Sequence, residues 1–172
     1  MNQGVTETEF SALDVQNMQL ALQLARQAWQ LNEVPVGAVL CDAQGQPIAT
    51  GYNRVISSAD PTQHAEIVAL RQACAQLQNY RLPHSQLFVS LEPCMMCLGA
   101  LLQARIQRIV YAAPDPKTGV CGSVLDLAQP HPTLNHQTVI QSGLLAAQSA
   151  QLLRDFFKER RLHAKQQRKN SS

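Results

Sequence analysis

No stretch of this 172-residue chain approaches the roughly 18 uninterrupted apolar residues that a membrane span needs. The opening MNQGVTETEFSAL has neither a basic n-region nor an apolar h-region, so no secretory signal is expected. Five cysteines are an odd number, and two of them sit at metal-ligand spacing, which argues against a disulfide framework. Internal repeats and linkers are also lacking. What remains is a soluble protein with no membrane contact, expected in the reducing cytoplasm. At 45% hydrophobic content the chain can bury a substantial core as one domain. That domain is expected over residues 14–165, between a disordered segment 1–13 and a flexible basic tail 166–172.

The net charge of +2 conceals an asymmetry. Residues 154–169 hold seven cations (Arg154, Lys158, Arg160, Arg161, Lys165, Arg168, Lys169) against Asp155 and Glu159, a local +5. The rest of the chain therefore carries −3. Two readings compete: a solvated helix end complementing its own dipole, and a contact for a polyanion.

Residues 14–31 read as an amphipathic helix, with Met18, Leu22, Ala25 and Trp29 on the apolar face and Trp29 as a core anchor. VPVGAVLCD and PIATGYN, separated by a Gly-containing turn, read as a hairpin. A second helix is expected over 64–79 with Ile67, Leu70, Cys74 and Leu77 buried. SQLFVSL is a strand, and Pro93 is expected in the first turn of a third helix ending near Ala104. IQRIVYAA is the next strand, residues 114–122 a loop, TVI a last strand, and 144–165 a terminal helix. Strands alternating with helices imply a mixed sheet covered on both faces.

The chemistry concentrates in His64-Ala65-Glu66 and, 27 residues past Glu66, Pro93-Cys94-Met95-Met96-Cys97. Zinc takes four ligands, so one imidazole and two thiols leave a position for water, which the metal acidifies. Glu66, as a non-ligand carboxylate, then stands ready to move protons. Cys94 and Cys97 at i and i+3 share one helix face, and a helix N-terminus stabilises thiolates. Mid-helix, His64 and Glu66 would point about 200° apart. They can face one metal only at a helix entrance, so the site is expected where two helix N-termini converge. A closed structural site, with Cys41, Cys121, His131 or His136 as fourth ligand, is the bland alternative. A redox Cys-x-x-Cys is another, but it explains neither His64 nor Glu66.

His-x-Glu followed by Pro-Cys-x-x-Cys is the signature of zinc deaminases, and the chain resembles the cytidine-deaminase-like superfamily. Within it, the chain is similar to the bacterial tRNA-specific adenosine deaminases. That narrower resemblance rests on Glu33-Val34-Pro35-Val36-Gly37-Ala38-Val39, Gly51-Tyr52-Asn53-Arg54, Asp60-Pro61-Thr62, His64-Ala65-Glu66-Ile67, Leu77-Gln78-Asn79-Tyr80-Arg81-Leu82, Leu91-Glu92-Pro93-Cys94, Lys117-Thr118-Gly119 and Asp155-Phe156-Phe157. It implies an α/β fold, a three-layer α/β/α sandwich around a central five-stranded mixed sheet, in a homodimer. It also implies one Zn2+ per subunit, held by His64, Cys94 and Cys97, with Glu66 as catalytic proton shuttle. The implied partner is the anticodon stem-loop of tRNA, whose wobble adenosine becomes inosine with release of ammonia. Asn53 would bind the target nucleoside, Asp115 and Lys117 its neighbours, and Phe156, Phe157 and Arg161 the RNA beyond. One departure is Pro114-Asp115-Pro116, where relatives more often carry a basic residue and an alanine around the aspartate.

In such a reaction Glu66 takes a proton from water, protonates N1 of adenine and hands a proton to the departing amine. A splayed anticodon loop makes unstacking of the base inexpensive. Asn53 has a second reading as plain turn chemistry at a strand end. Two rival functions remain open: a deaminase of free guanine, cytosine or cytidine, which would not need the basic terminus, and a zinc-stabilised RNA-binding domain without catalysis.

Overall fold

The computed structural model describes residues 10–130 and 136–170. Segments 1–9 and 171–172, where disorder and flexibility were expected, and His131 lie outside the described residues.

Helix α1 (Ala12–Gln30) starts two residues earlier than the apolar period suggests. A capping box explains the start: the Ser11 side chain accepts from Asp14 N–H, and Asp14 accepts from Ser11 N–H. The expected hairpin is β1 (Gly37–Cys41) and β2 (Pro47–Tyr52), paired antiparallel. Then follow α2 (Ala65–Leu77), β3 (Gln86–Leu91), α3 (Met95–Gln103), β4 (Arg108–Ala113), β5 (Val139–Ser142) and α4 (Ala146–Asn170). Helix α4 continues five residues past the expected end at Lys165, so Gln166 to Asn170 of the segment expected as a flexible tail are helical.

The sheet order is β2-β1-β3-β4-β5, antiparallel across β2-β1-β3 and parallel across β3-β4-β5. This is the five-stranded mixed sheet that the resemblance implies. Alternation along β1 divides the core. Ala38 and Leu40 face a cluster with Ala65, Ala69, Ala73, Leu98 and Leu101 of α2 and α3. Val39 and Cys41 face Met18, Ala21 and Leu24 of α1, with Leu144 just before α4. Trp29 meets Phe156 edge-on at 5.6 Å, which joins α1 to α4 on that second face. Three layers result, helices on each side of one sheet.

The expected stripe of α2 is half right. Ile67 and Leu70 are buried, Cys74 is half-buried, and Leu77 is 54% exposed. Alanines make the rest of the contact, because a side chain added at Gly51 of β2 would stand 2.2 Å from the Ala65 carbonyl oxygen. The helix backbone lies almost on the strand, and only small residues fit between.

β2 and the three parallel strands end at one edge of the sheet. Asn53 follows β2, Cys94 follows β3 by three residues, and Asp115 follows β4 by two. Loops past the carboxyl ends of parallel strands are where open α/β sheets place their ligands.

Candidate metal centre and active site

His64 is the N-cap of α2 and Cys94 the N-cap of α3, both with extended backbone (ψ 153° and 173°). Pro93 therefore stands just outside α3 rather than in its first turn. The reason is local pairing: Cys94 bridges Gly119 antiparallel and Val120 N–H donates to the Pro93 carbonyl (3.1 Å), which holds this stretch extended. Neither N-cap side chain makes the usual capping bond. Both are free to point inward instead. At α2 the task passes to Asn53, whose Oδ1 accepts from the Ala65 N–H at 2.9 Å. Asn53 thus has a local structural task at the end of β2 and the start of α2. Its carbonyl oxygen holds the helix start, and the residue also lines the cleft described below.

Two helix starts converge as expected. His64 Nδ1 lies 3.6 Å from Cys94 Sγ and 3.6 Å from Cys97 Sγ, and all three atoms fall within 4.8 Å of one another. A tetrahedral zinc with bonds of ~2.3 Å to sulfur and ~2.1 Å to nitrogen puts S and N about 3.6 Å apart. The residues fit the ion, and the donor set of two thiols and an imidazole is the one zinc prefers. Among the described residues no fourth His, Cys, Asp or Glu joins the group. Of the alternative ligands, Cys41 and Cys121 are buried thiols pushed up to about 12, chiefly by burial. His136 Nε2 is bound to the Ile106 carbonyl at 2.8 Å.

The trio is electrostatically interdependent. Cys94 is drawn down to about 4, first by the hydrogen bond from Cys97 and also by His64, against burial. Cys97 is pushed up by the same bond and by burial. His64 is held above its usual value, first by its bond to Cys94. One sulfur is a ready thiolate, and a divalent ion would replace the proton kept by the other. Glu66, 4% exposed, has its carboxyl within hydrogen-bonding reach of Cys97, and burial pushes it up to about 7. An acid with that poise both takes and gives a proton near neutrality.

A cleft of about 310 Å³ opens onto these groups, with Asn53, His64, Glu66 and Cys94 on its wall. It shares Val34, Leu91, Asp115 and Thr118 with a larger groove of about 950 Å³. Lys117, Arg154, Phe157, Lys158 and Arg161 line that groove. Lys117 Nζ sits 5.7 Å from the Phe157 ring centroid, and Phe157 is 39% exposed. Phe156 does not belong with them. It is buried to 1% exposure between Trp29 and Phe157, so it anchors α4 and cannot meet an RNA directly. Asp115 reaches both cavities, but its carboxylate accepts from Lys117 N–H, Thr118 N–H and Thr118 Oγ, which closes its own loop. Two further cleft residues stand in the motifs that carry the resemblance, but the sequence assigns them no role. Glu33 is 1% exposed and accepts from Ser57 N–H at 2.7 Å, and Glu92 is 2% exposed.

Residues 11–113 match the cytidine and deoxycytidylate deaminase zinc-binding region. The chain belongs to that family. A tRNA-specific adenosine deaminase of Haemophilus influenzae is 47% identical over 151 residues, 88% of this chain and 87% of its own. A structure solved in a study of A-to-I editing by tRNA:A34 deaminases superposes with TM-score 0.76 at 44% identity, covering 80% of this chain and 99% of that one. A guanine deaminase from Nitrosomonas europaea superposes with TM-score 0.68 at 27% identity, covering 91% and 97%. The zinc deaminase fold thus carries both RNA and free-purine chemistry, and the choice between them falls to what surrounds the metal.

Proposed function

We propose that this deaminase acts on tRNA, converting the wobble adenosine of an anticodon loop to inosine and releasing ammonia. The observation that carries the reading is the continuity of the metal cleft with a cation-lined groove. A free base of purine size needs only the small cleft. A nucleotide in a strand needs an exit for its backbone, and Lys117, Arg154, Lys158 and Arg161 line one. The similarity to tRNA deaminases at 44–47% identity, against 27% for the guanine deaminase, supports the same choice.

His64, Cys94 and Cys97 would hold one zinc, which supplies Lewis acidity and lowers the pKa of water to about 7. Every proton movement belongs to Glu66. It takes one proton from the attacking water and delivers it to N1 as C6 becomes tetrahedral, then takes the second from the new C6 hydroxyl and passes it to the amine, which leaves as ammonia while the C6 carbonyl forms. Asn53, fixed through Oδ1, offers Nδ2 to the nucleoside and so orients C6 toward the water. Phe157 provides a partly exposed ring against which an unstacked neighbouring base can rest. Lys117 and Arg161 take phosphates, and Asp115 acts by shaping the loop.

The proposal extends to a cytoplasmic homodimer. Met95, Met96, Val124, Leu125 and Leu127 are large apolar side chains 37–59% exposed, which supports burial against a second copy. The test is to incubate zinc-loaded protein with total tRNA and locate inosine by mass spectrometry. Inosine at the first anticodon position is expected. Deamination of free guanine or cytidine with tRNA unchanged would overturn the assignment.

A further inference from the structure

Next to the metal turn lies a buried carboxylate that the proposed reaction does not use. Glu92 is 2% exposed, and among the described residues no cation pairs with it. Four donors, all from the segment after β4, saturate it instead. Oε1 accepts from Cys121 N–H at 2.8 Å and Ser123 N–H at 3.1 Å. Oε2 accepts from Asp115 N–H at 2.8 Å and from the Ser123 hydroxyl. A carboxylate has about four good acceptor sites, and all are taken by a single loop.

The surroundings are fitted to this arrangement. A Cβ at Gly119 would stand 2.4 Å from the Glu92 carboxyl carbon and from Oε2, so glycine is required where the loop crosses the acid. The Glu92 N–H donates to the Ala113 carbonyl at 2.9 Å, which prolongs the β3–β4 pairing up to the metal turn. Asp115, held by Glu92 through its backbone, uses its own carboxylate to order Lys117 and Thr118. A chain of bonds therefore runs from the strand that delivers Cys94, through Glu92, to the wall shared by cleft and groove.

We propose that Glu92 is a positioning residue for the substrate. It fixes loop 115–123 relative to the metal, and through Asp115 it sets where Lys117 and Thr118 meet the nucleotides beside the target. This rests on the reading of the protein as a tRNA deaminase. It assigns Glu92 to recognition of the strand rather than to holding zinc or to proton transfer.

The test compares wild type, Glu92→Gln and the milder Ser123→Ala, all zinc-loaded, on an anticodon stem-loop RNA well below the melting temperature. Glu92→Gln places an NH2 against N–H donors. We expect one zinc per chain, kcat within about 3-fold and KM raised by about 10-fold or more, with Ser123→Ala raising KM about 2- to 3-fold. Amide hydrogen exchange should quicken by about 10-fold or more across residues 115–123 while β3 and α3 keep their protection. A lower melting temperature with unchanged KM and an unchanged loop would reduce Glu92 to a structural role and overturn the proposal. Loss of zinc with an undisturbed loop would overturn it too. If wild type itself produces no inosine, it is the functional reading that fails, and exchange in the loop alone decides the role of Glu92.

Discussion

A methyl group added at Gly51 tests the metal centre from outside it. The new Cβ would stand 2.2 Å from the Ala65 carbonyl oxygen, 2.6 Å from Ala69 N and 3.0 Å from Val68 Cβ. The nearest two are helix backbone atoms and cannot rotate away. Reaching ordinary contact at about 3.4 Å requires the first turn of α2 to withdraw by about 1.2 Å. That turn carries His64 and Glu66, while Cys94 and Cys97 ride on α3 and stay. A 3.6 Å nitrogen–sulfur separation then opens by as much as about 1 Å, beyond what one tetrahedral ion spans. Overpacking of this kind costs about 1–3 kcal/mol of stability. Displacement of a reacting group by 1 Å costs on the order of 100-fold in rate. Gly51→Ala should therefore melt earlier, bind zinc more weakly in chelator competition and deaminate about 100-fold more slowly, while still folding. Gly99→Ala is the control for the metal centre: within one chain nothing lies within 4 Å of its added carbon on α3, so it should leave zinc affinity at the wild-type value. A Gly51→Ala protein with wild-type zinc affinity and turnover would refute the claim that strand-to-helix contact sets the ligand geometry.

Glu66→Gln should keep its zinc by elemental analysis and lose activity by at least ~10²–10⁴, because one carboxyl serves several proton transfers; near-normal turnover would remove Glu66 from the mechanism. Alanine at Lys158 or Arg161 should weaken binding of an anticodon stem-loop and flatten log Kd against log salt by about 0.7 per cation removed; an unchanged slope would take that side chain off the phosphate path. Asp14 is held below the usual carboxylate value, first by its bonds to Arg108, so its contribution is complete above the unfolded pKa of about 3.9 and fades as pH falls through the lower folded value. Denaturant melts of wild type and Asp14→Asn should differ fully at pH 7 and draw together below about pH 4; a gap independent of pH would rule out the ion pair as its source.

How much of this was legible in the sequence depended on the range of the interaction involved. His64, Glu66, Cys94 and Cys97 declare themselves because a metal fixes residue type and spacing together, and the helix starts that host them follow from the same spacing. The hairpin and α1 were readable from alternation and period. The misjudged face of α2 has a physical cause: its contact with β2 is so close that alanine, which carries no periodic signal, replaces the large side chains a pattern search seeks. The resemblance implies an RNA contact for Phe156 because an exposed and a buried aromatic read alike in sequence, and Trp29 against its ring shows it to be the buried kind. Glu92 stands in the Leu91-Glu92-Pro93-Cys94 motif, but its role is illegible there because its partners lie 23 to 31 residues away and are mostly backbone amides, which any sequence supplies.

Asn53, Cys94 and Asp115 each begin where a strand has just stopped, so the sheet serves as a common datum from which pocket walls are hung. A connection past β4 of another length or sequence redraws the guest list of the pocket, as long as its pairing with Pro93 and Cys94 is kept. Kinship between an enzyme of free guanine and an editor of tRNA on one scaffold then asks for little more than new upholstery on an old chassis.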